Sequence, residues 1–281
     1  MKRIRNRIIS VLLSLLIPGS GQIYNGQKHK VFWGYSIFLA IPVVFVLFKL
    51  FYSFGGLLSF LVLLVILYLW NLADAFTCAV RFQKASRVKT KYWIIFIPLL
   101  LFSINIYGIV NHLEPDNTIL GVRGINLNTN SMAPTLKIGD VFAVATRYNR
   151  SNDFNRGEII CFYHKKLKAQ LYKRLIGLPG DVIKGYGSLV YINGEKIEEH
   201  YIQMIDKFIG NDFNDRHIVD EFGPIKVPEN KLFVMGDNRN NSFDSRDPEF
   251  GLVDIDDVKT NKKPLYIYWS TDISRVGKKI E

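Results

Sequence analysis

Cysteine and acidic residues are the two scarce components of this sequence of 281 residues. It has two cysteines, Cys78 in an apolar run and Cys161 in the polar half, and neither stands in a CxxC or Cys/His pattern typical of zinc sites. Residues 1–112 contain one acidic residue, Asp74, against twelve Lys and Arg. The sequence therefore predicts no metal site, no cofactor and no bridge between these two cysteines.

The net charge of +11 belongs entirely to residues 1–112, because residues 113–281 contain 24 basic and 24 acidic residues. The basic residues flank apolar runs, as they do in the cytoplasmic loops of membrane proteins. A basic patch in the polar half would instead have indicated nucleic-acid binding. The charge pattern thus predicts a lipid bilayer as partner and excludes nucleic acid.

Three apolar runs, at about 31–51, 56–80 and 92–111, are each long enough to cross a bilayer, which takes about 20 apolar residues. We therefore expect transmembrane helices within 31–112. Asp74 lies near the end of the second run, where we expect a carboxylate that faces water or the membrane interface.

The basic segment 1–30 has an apolar core that is too short to span a bilayer. It is either a cleaved signal peptide or a re-entrant or interfacial hairpin broken at Pro18-Gly19. Cleavage would leave Lys28 and Lys30 outside the cell, against the preference of basic loops for the cytoplasm, so the hairpin is favoured. Its stretch PGSGQIYNGQ resembles a short signature of small bacterial membrane modules.

The same charge rule places the basic residues between 81 and 91 in the cytoplasm and directs the third run outward. Residues 113–281 then lie on the extracytoplasmic side of the membrane. The localisation predicted is a multi-pass protein of the bacterial cytoplasmic (inner) membrane.

Residues 113–281 have the pattern of an antiparallel β-rich domain. Short β-branched and aromatic runs are bounded by Gly, Pro, Asn and Asp, which is typical of strands joined by turns. These runs are VFAVAT, EIICFYH, LYKRLIG, SLVYING, KLFVMGD and PLYIYWS. Asn193-Gly194 predicts a two-residue hairpin turn. A long irregular insertion is expected near 200–225.

Histidine offers no obvious catalytic base in this half. The four candidates lie at the membrane edge or in charged stretches expected to be exposed, and none is near a serine held in a turn; they are His112, His164, His200 and His217. A Ser-His-Asp arrangement is left open, but the positions give it little support. A metal site built from His200 and His217 lacks ligand-like spacing.

Lysine can replace histidine as a base where burial lowers its pKa. Lys173 lies in the predicted strand AQLYKRLIG and shares a face with Leu171 and Leu175, because strand side chains alternate. This pattern indicates an inward-facing lysine, with Arg174 on the opposite face. An edge-strand lysine whose tip reaches water fits the same pattern.

Three segments decide between an inward-facing and an edge-strand Lys173. They are Ser131-Met132-Ala133-Pro134-Thr135-Leu136, then Lys173-Arg174 followed by Gly177-Leu178-Pro179-Gly180-Asp181, then Gly236-Asp237-Asn238-Arg239-Asn240-Asn241-Ser242-Phe243-Asp244-Ser245-Arg246. In this order after transmembrane runs, the segments resemble the bacterial type I signal peptidases, also called leader peptidases, a Ser-Lys protease family. The resemblance covers about 120–270, and its third segment is the most specific.

The resemblance implies roles for four residues. Ser131 would be the nucleophile and Lys173 its general base. The backbone N–H of Ser131 and the hydroxyl of Thr129 would bind the oxyanion, and Ser242 would orient the lysine amine. Asn130 replaces a smaller residue before the nucleophile and tolerates the positive φ that a tight turn can require.

Four charged residues of the third segment are expected to be structural. Their alternation of acids and arginines is typical of an ion-pair network that braces the loop carrying Ser242. These residues are Asp237, Arg239, Asp244 and Arg246.

The resemblance also implies the fold and the substrate. The fold would be the β-rich domain shared by signal peptidases and SOS-response repressors. The substrates would be exported preproteins, cut after small residues of the Ala-x-Ala type, with the protein-export machinery as a further partner. Apolar residues at Ile125, Leu127 and Met132 could dip into the membrane interface.

Two other functions remain open. One is a membrane-anchored β-domain that binds exported chains without cutting them. The other is a self-cleaving Ser-Lys domain like those of SOS-response repressors, although such proteins carry a DNA-binding segment in place of three membrane runs.

Overall fold

A computed structural model describes residues 7–81, 121–146, 148, 154–186, 189–202, 221–260 and 262–280. The chain divides into two compact units, Met1–Gly121 and Val122–Glu281. The predicted membrane run at 92–111 and the residues His112 and His217 lie outside the described residues.

The described part of the first unit is helical. Its helices are α1 (Arg7–Leu16), α2 (Ser20–Tyr24), α3 (Lys28–Leu47) and α4 (Phe54–Arg81). The stretches His29–Leu47 and Phe54–Ala79 are long and apolar enough to cross a membrane, by length and composition. The first predicted run extended to 51, but α3 ends earlier because Lys49 adopts a left-handed conformation with φ 53°.

Hydrogen bonds between buried polar side chains hold α2 against α1 and α4. Ser14 Oγ donates to Gln22 Oε1 over 3.1 Å, and Gln22 Nε2 donates to the carbonyl of Asn71 over 2.8 Å. Ser10 Oγ donates to the carbonyl of Ala75 over 3.0 Å. A Cβ at Gly21 would lie 2.2 Å from the Ser10 carbonyl oxygen, so glycine permits this close approach. The stretch PGSGQIYNGQ therefore serves helix packing.

Asp74 is not a water-facing carboxylate. Its side chain is 12% exposed, and its Oδ1 forms an ion pair with Lys30 Nζ at 2.5 Å. Cys78 Sγ also donates to it over 3.4 Å. The water-facing alternative does not hold for this largely covered carboxylate, whose opposite charge comes from Lys30, 44 positions away in sequence. The other alternative, a position at the membrane interface, stays a prediction.

The described part of the second unit contains eleven strands. They are β1 (Val122–Asn126), β2 (Val141–Ala145), β3 (Ile159–His164), β4 (Ala169–Gly177), β5 (Val182–Tyr186), β6 (Leu189–Ile192), β7 (Glu195–Lys196), β8 (Glu221–Lys226), β9 (Lys231–Met235), β10 (Val253–Asp254) and β11 (Lys263–Trp269). All their pairings are antiparallel. The β-rich fold is thus confirmed.

The strands form three sheets, in the orders β1-β2-β11, β10-β9-β4-β3 and β7-β6-β5-β8. Three clusters of buried apolar side chains pack on them, around Phe142, Phe162 and Phe233. Strand β4 takes part in all three clusters, through Tyr172, Leu175 and Ile176. Both faces of β4 are therefore covered by core side chains, and a lysine in the middle of this strand is buried whichever face it points to.

The local sequence signals predicted most strands but not all. Asn193 and Gly194 both have positive φ, 53° and 88°, and join β6 to β7 as predicted. Strands β1, β5, β8 and β10 were not predicted. The expected insertion at 200–225 was wrong in part, since Glu221–Lys226 pairs with β5. The sequence EFGPIK did not predict this strand, because Gly223 and Pro224 are weak strand formers.

Candidate active site

Ser131 lies in a tight loop between β1 and β2. The N–H of Ala133 donates to the carbonyl of Asn130 over 3.0 Å, and the N–H of Leu136 donates to the carbonyl of Met132 over 2.8 Å. Met132 and Leu136 are 1% and 0% exposed and fill the core around Phe142. The side chains of Met132 and Leu136 therefore anchor the loop to the core, while Ser131 itself stays partly accessible.

Asn130 supports the loop through hydrogen bonds. It is not among the described residues with positive φ, so the turn does not use the conformation that asparagine tolerates. Its Oδ1 accepts from the N–H of Ile138 over 3.2 Å, and its carbonyl accepts from Asn238 Nδ2 over 3.1 Å. The N–H of Asn238 donates to the Ser131 carbonyl over 3.2 Å. Asn238 thus joins the serine loop to the third segment.

A buried ion pair that the sequence analysis missed closes the other end of the loop. Arg275 Nη2 donates to Asp140 Oδ2 over 2.6 Å, with both side chains at most 8% exposed. The same guanidinium donates to the carbonyls of Pro134 and Thr135 over 3.0 and 2.9 Å. No local pattern connects residues so far apart in sequence, so only the fold reveals this clamp.

Lys173 is buried in the middle of β4, at 4% exposure. Its Nζ donates to Ser242 Oγ over 2.8 Å, as the resemblance implied. Burial lowers the pKa of Lys173 from 10.5 to about 8, although the charge of Asp244 acts in the opposite direction. The reading of Lys173 as an edge-strand lysine with a solvated tip is therefore wrong.

Gly236 brings the serine loop and the lysine partner together. A Cβ at this position would lie 2.2 Å from Ser242 Oγ and 2.3 Å from the Ser131 carbonyl oxygen, so only glycine leaves room for both. Thr129 Oγ1 lies 3.4 Å from Ser131 Oγ. Within the described residues, the hydrogen bond of Lys173 Nζ goes to Ser242 and not to Ser131 Oγ.

Asp237 forms a buried ion pair with Arg174. The guanidinium Nε and Nη2 donate to the two carboxylate oxygens over 3.0 and 2.6 Å. The side chains are 2% and 0% exposed. Arg174 is on the face of β4 opposite Lys173, as predicted. The alternation pattern did not reveal that this second face is buried as well.

The other three charged residues of the segment are also partnered. Arg246 donates to both oxygens of Asp244 over 2.8 and 2.9 Å, and Asp244 Oδ2 accepts from the N–H of Gly236 over 2.9 Å. Arg239 forms a two-point ion pair with Glu199, a residue that the sequence analysis did not single out. These pairs brace the backbone between Gly236 and Arg246.

Two expectations about exposed residues were wrong. Met132 lies in the core and cannot reach a membrane interface. His164 is 8% exposed, with its ring 4.3 Å from that of Phe250, and its Nδ1 accepts from the N–H of Leu167 over 3.2 Å. His200 is exposed, as expected. Among the described residues, the hydrogen bonds and ion pairs of these two histidines go to Phe250, Leu167 and Glu198 and not to the serine loop.

A cavity of about 200 Å³ opens beside the strands that lead to the site. It is lined by Arg123, Ile125, Val144, Thr146, Gln170, Tyr172 and Lys262. Tyr172 directly precedes Lys173, and Ile125 belongs to the strand that enters the Ser131 loop.

The sequence is similar to those of known signal peptidases. A family model for signal peptidases of the peptidase S26 family matches residues 118–268. Signal peptidase I S of Bacillus subtilis (strain 168) is 43% identical over 116 residues, which are 41% of this chain and 61% of that protein. Signal peptidase I P of Bacillus subtilis subsp. natto is 41% identical over 128 residues, which are 46% of this chain and 68% of that protein.

A signal peptidase I structure from Enterococcus faecalis V583 aligns at 32% identity and a TM-score of 0.30, over 38% of this chain and 93% of that one. The family match spans more than half of the sequence and contains all three segments of the site. The chain therefore belongs to the peptidase S26 family of signal peptidases.

Proposed function

We propose that this protein is a membrane-bound serine endopeptidase that removes N-terminal signal peptides from exported preproteins with a Ser131–Lys173 dyad. The observation that carries the proposal is a lysine at 4% exposure whose amine lies 2.8 Å from Ser242 Oγ, next to the loop of a partly accessible serine. A buried amine with a lowered pKa can accept the proton that a serine nucleophile must lose.

The proposed reaction uses Ser131 as nucleophile and Lys173 as general base. Ser131 Oγ attacks the scissile carbonyl carbon while Lys173 takes the hydroxyl proton, and the carbonyl becomes an oxyanion. The ammonium then gives its proton to the leaving nitrogen as the C–N bond breaks, which leaves an acyl-enzyme ester. The same lysine then takes a proton from a water molecule, whose oxygen attacks the ester carbon. As the bond from this carbon to Ser131 Oγ breaks, the lysine returns the proton to Oγ, and the signal peptide leaves with a free carboxylate.

The neighbouring hydroxyls have separate roles in this scheme. Ser242 holds the amine in place through its hydrogen bond. Substrate binding then brings the amine within reach of Ser131 Oγ, as catalytic hydrogen bonds commonly tighten in the complex. The N–H of Ser131 and the hydroxyl of Thr129 donate to the oxyanion, a type of contact whose loss costs about 10²–10³ in kcat.

The substrate would meet the enzyme at the membrane. The two apolar helices, the predicted third run at 92–111 and the basic residues around them support an anchor in the cytoplasmic membrane with the catalytic unit on the outer side. A preprotein carries an apolar segment that ends in small residues. Attachment of both partners to one bilayer raises their effective concentration.

Cleavage after small residues requires shallow apolar recesses. The cavity beside Ile125 and Tyr172 is partly filled by polar side chains, because Gln170 Nε2 donates to Tyr172 Oη and Lys262 Nζ donates to Gln170 Oε1. The preference for Ala-x-Ala type sites is therefore proposed from the family match, because signal peptides end in small residues of this kind.

Cleavage of a precursor tests the proposal directly. We expect the purified full chain in detergent to cut a precursor with an Ala-x-Ala site, and to leave a version with bulky residues at those two positions intact. Mass spectrometry of the products locates the cut. Binding of the precursor without any cut would support the non-catalytic binding module instead. Cutting of the chain itself in preference to the precursor would support the self-cleaving alternative.

The pH dependence of cleavage should report the neutral form of Lys173. With a pKa of about 8, about a tenth of the amines are neutral at pH 7. The value of kcat/KM should thus rise about tenfold per pH unit below the pKa and level off above it. Bound substrate excludes more water, so the acid limb of kcat should lie at lower pH than that of kcat/KM.

Initial rates with a fluorogenic precursor peptide, in buffers of constant ionic strength, measure both limbs. A chelator should leave the rates unchanged, since the scheme uses no metal. A flat profile between about pH 6 and about pH 9, or strong inhibition by the chelator, would contradict a lysine base.

A further inference from the structure

The segment that follows the β6–β7 hairpin carries a buried carboxylate. Glu199 and its partner Arg239 have side chains only 4% and 5% exposed. Glu199 Oε2 accepts from Arg239 Nη1 over 2.7 Å, and Oε1 accepts from Arg239 Nη2 and from Tyr201 Oη. The neighbouring Glu198 and His200 point into solvent, at 87% and 91% exposure. Of the three consecutive residues 198–200, only Glu199 thus has a buried side chain.

The ion pair leads directly to the backbone that presents Ser242. Arg239 Nε donates to the carbonyl of Gly236 over 3.3 Å, and the Arg239 carbonyl accepts from Arg246 Nη2 over 2.9 Å. Gly236 is the residue that separates Ser242 Oγ from the Ser131 carbonyl. Glu199 therefore restrains the position of Arg239 at the centre of this turn.

Tyr201 connects the same segment to the strand of the lysine. Its ring lies 3.9 Å from the guanidinium carbon of Arg174, a cation–π contact. Arg174 is adjacent to Lys173 and holds Asp237, which follows Gly236. The segment Glu199–Tyr201 thus contacts the supports of both Lys173 and Ser242.

We propose that Glu199 is a positioning residue for peptide-bond cleavage, which fixes Arg239 and so holds Ser242 against the Lys173 amine. The inference rests on the proposed function, since it assigns Glu199 to the same dyad. Burial of a carboxylate costs several kcal/mol unless it is paired, so loss of either partner should loosen the turn between Gly236 and Ser242. The β6–β7 hairpin is in this way coupled to the site.

The test uses the full chain in detergent with Glu199→Ala, Glu199→Gln and the matched exposed control Glu198→Ala. We expect Glu199→Ala to lower kcat about tenfold while KM changes less than about twofold, because misplaced catalytic groups slow chemistry more than binding. Water that enters around Lys173 should also move the acid limb of kcat/KM upward by about one pH unit. Glu198→Ala should match the unmodified protein in both.

Glu199→Gln keeps the volume and one acceptor oxygen, so it should show smaller changes in the same direction and remain folded if the alanine variant does not. A Glu199 variant that only lowers the melting temperature, with unchanged kcat and acid limb, would overturn the inference. So would equal effects of Glu198→Ala. Each kinetic series is paired with a thermal melt to make this distinction.

A second measurement separates this inference from the proposed function. Competitive acetylation of Lys173, followed by mass spectrometry across a pH series, gives the pKa of its amine without any substrate. We expect this pKa to be higher in Glu199→Ala than in the unmodified protein. If the unmodified protein cuts no precursor, the proposed function fails, while an unchanged amine pKa in the variant would refute the positioning role itself.

Discussion

Replacement of Lys173 by alanine is expected to lower kcat for precursor cleavage by at least about 10³-fold. The residue is the group proposed to take the proton of Ser131, and removal of a member of a nucleophile–base pair can cost about 10⁶ in kcat. Of the lysines that the structure describes in the second unit, Lys173 alone is buried, so the core around β4 offers no second lysine as base. Single-turnover rates at saturating precursor measure the loss.

Two further variants make the test specific. Lys173→Arg keeps a cation of similar length, but its guanidinium does not lose its proton, so we expect it to be as inactive as the alanine variant. Lys184→Ala removes an exposed lysine from β5 of the same unit and should leave kcat unchanged. Near-full activity of a folded Lys173→Ala variant would refute the Ser-Lys assignment.

Ser131→Ala should lose activity to the same extent as Lys173→Ala, and the double variant should be no worse than either single one. Groups that act in one step are strongly non-additive, because removal of either member already abolishes their shared contribution. Losses that multiply in the double variant would indicate that the two residues act independently.

The largest expected effect on stability is that of Asp237→Ala. The substitution leaves the guanidinium of Arg174 without its carboxylate at 2% exposure, and an uncompensated buried charge costs about 3–5 kcal/mol. Thr135 Oγ1 also donates to Asp237 and would lose its acceptor. Urea-dependent pulse proteolysis of the full chain should show this decrease in the free energy of unfolding.

Removal of both charges distinguishes a buried ion pair from a merely crowded site. Asp237→Leu combined with Arg174→Met should be less destabilised than Asp237→Ala, because replacement of a buried pair by apolar residues is often close to neutral. Asp256→Ala, at an exposed aspartate of the same unit, should change the free energy by less than about 0.5 kcal/mol. A loss of similar size at Asp256 would contradict the explanation.

Local patterns were sufficient where one residue and its neighbours in sequence carry the information. Asn193-Gly194 predicted a tight hairpin, which the φ values confirm. The alternation in AQLYKRLIG fitted both an inward-facing and an edge-strand Lys173, and the three segments shared with signal peptidases decided for the buried position that the structure shows. The spacing of charges in the third segment predicted a structural network, and all four of its charged residues form ion pairs. The catalytic roles of Ser131 and Lys173 stay predictions.

Two ion pairs between residues distant in sequence escaped prediction. Arg275 closes the Ser131 loop across 135 positions, and Glu199 reaches Arg239 across 40. The hypothesis that Met132 dips into the membrane interface was wrong, since its side chain lies in the core. An apolar side chain has the same local pattern in either place. Strand β8 was missed, since its pairing with β5 outweighs its poor strand propensity.

The sequence by itself determined the chemistry of this protein's candidate site and the character of its two halves, because residue types, hydrophobic runs and turn signals are local properties. Only the tertiary structure decided what surrounds Lys173 and which partners hold Ser242, Asp237 and Arg239. Burial and ion pairing depend on which strands lie side by side. These distances arise from packing across the chain, and no short stretch of sequence contains them.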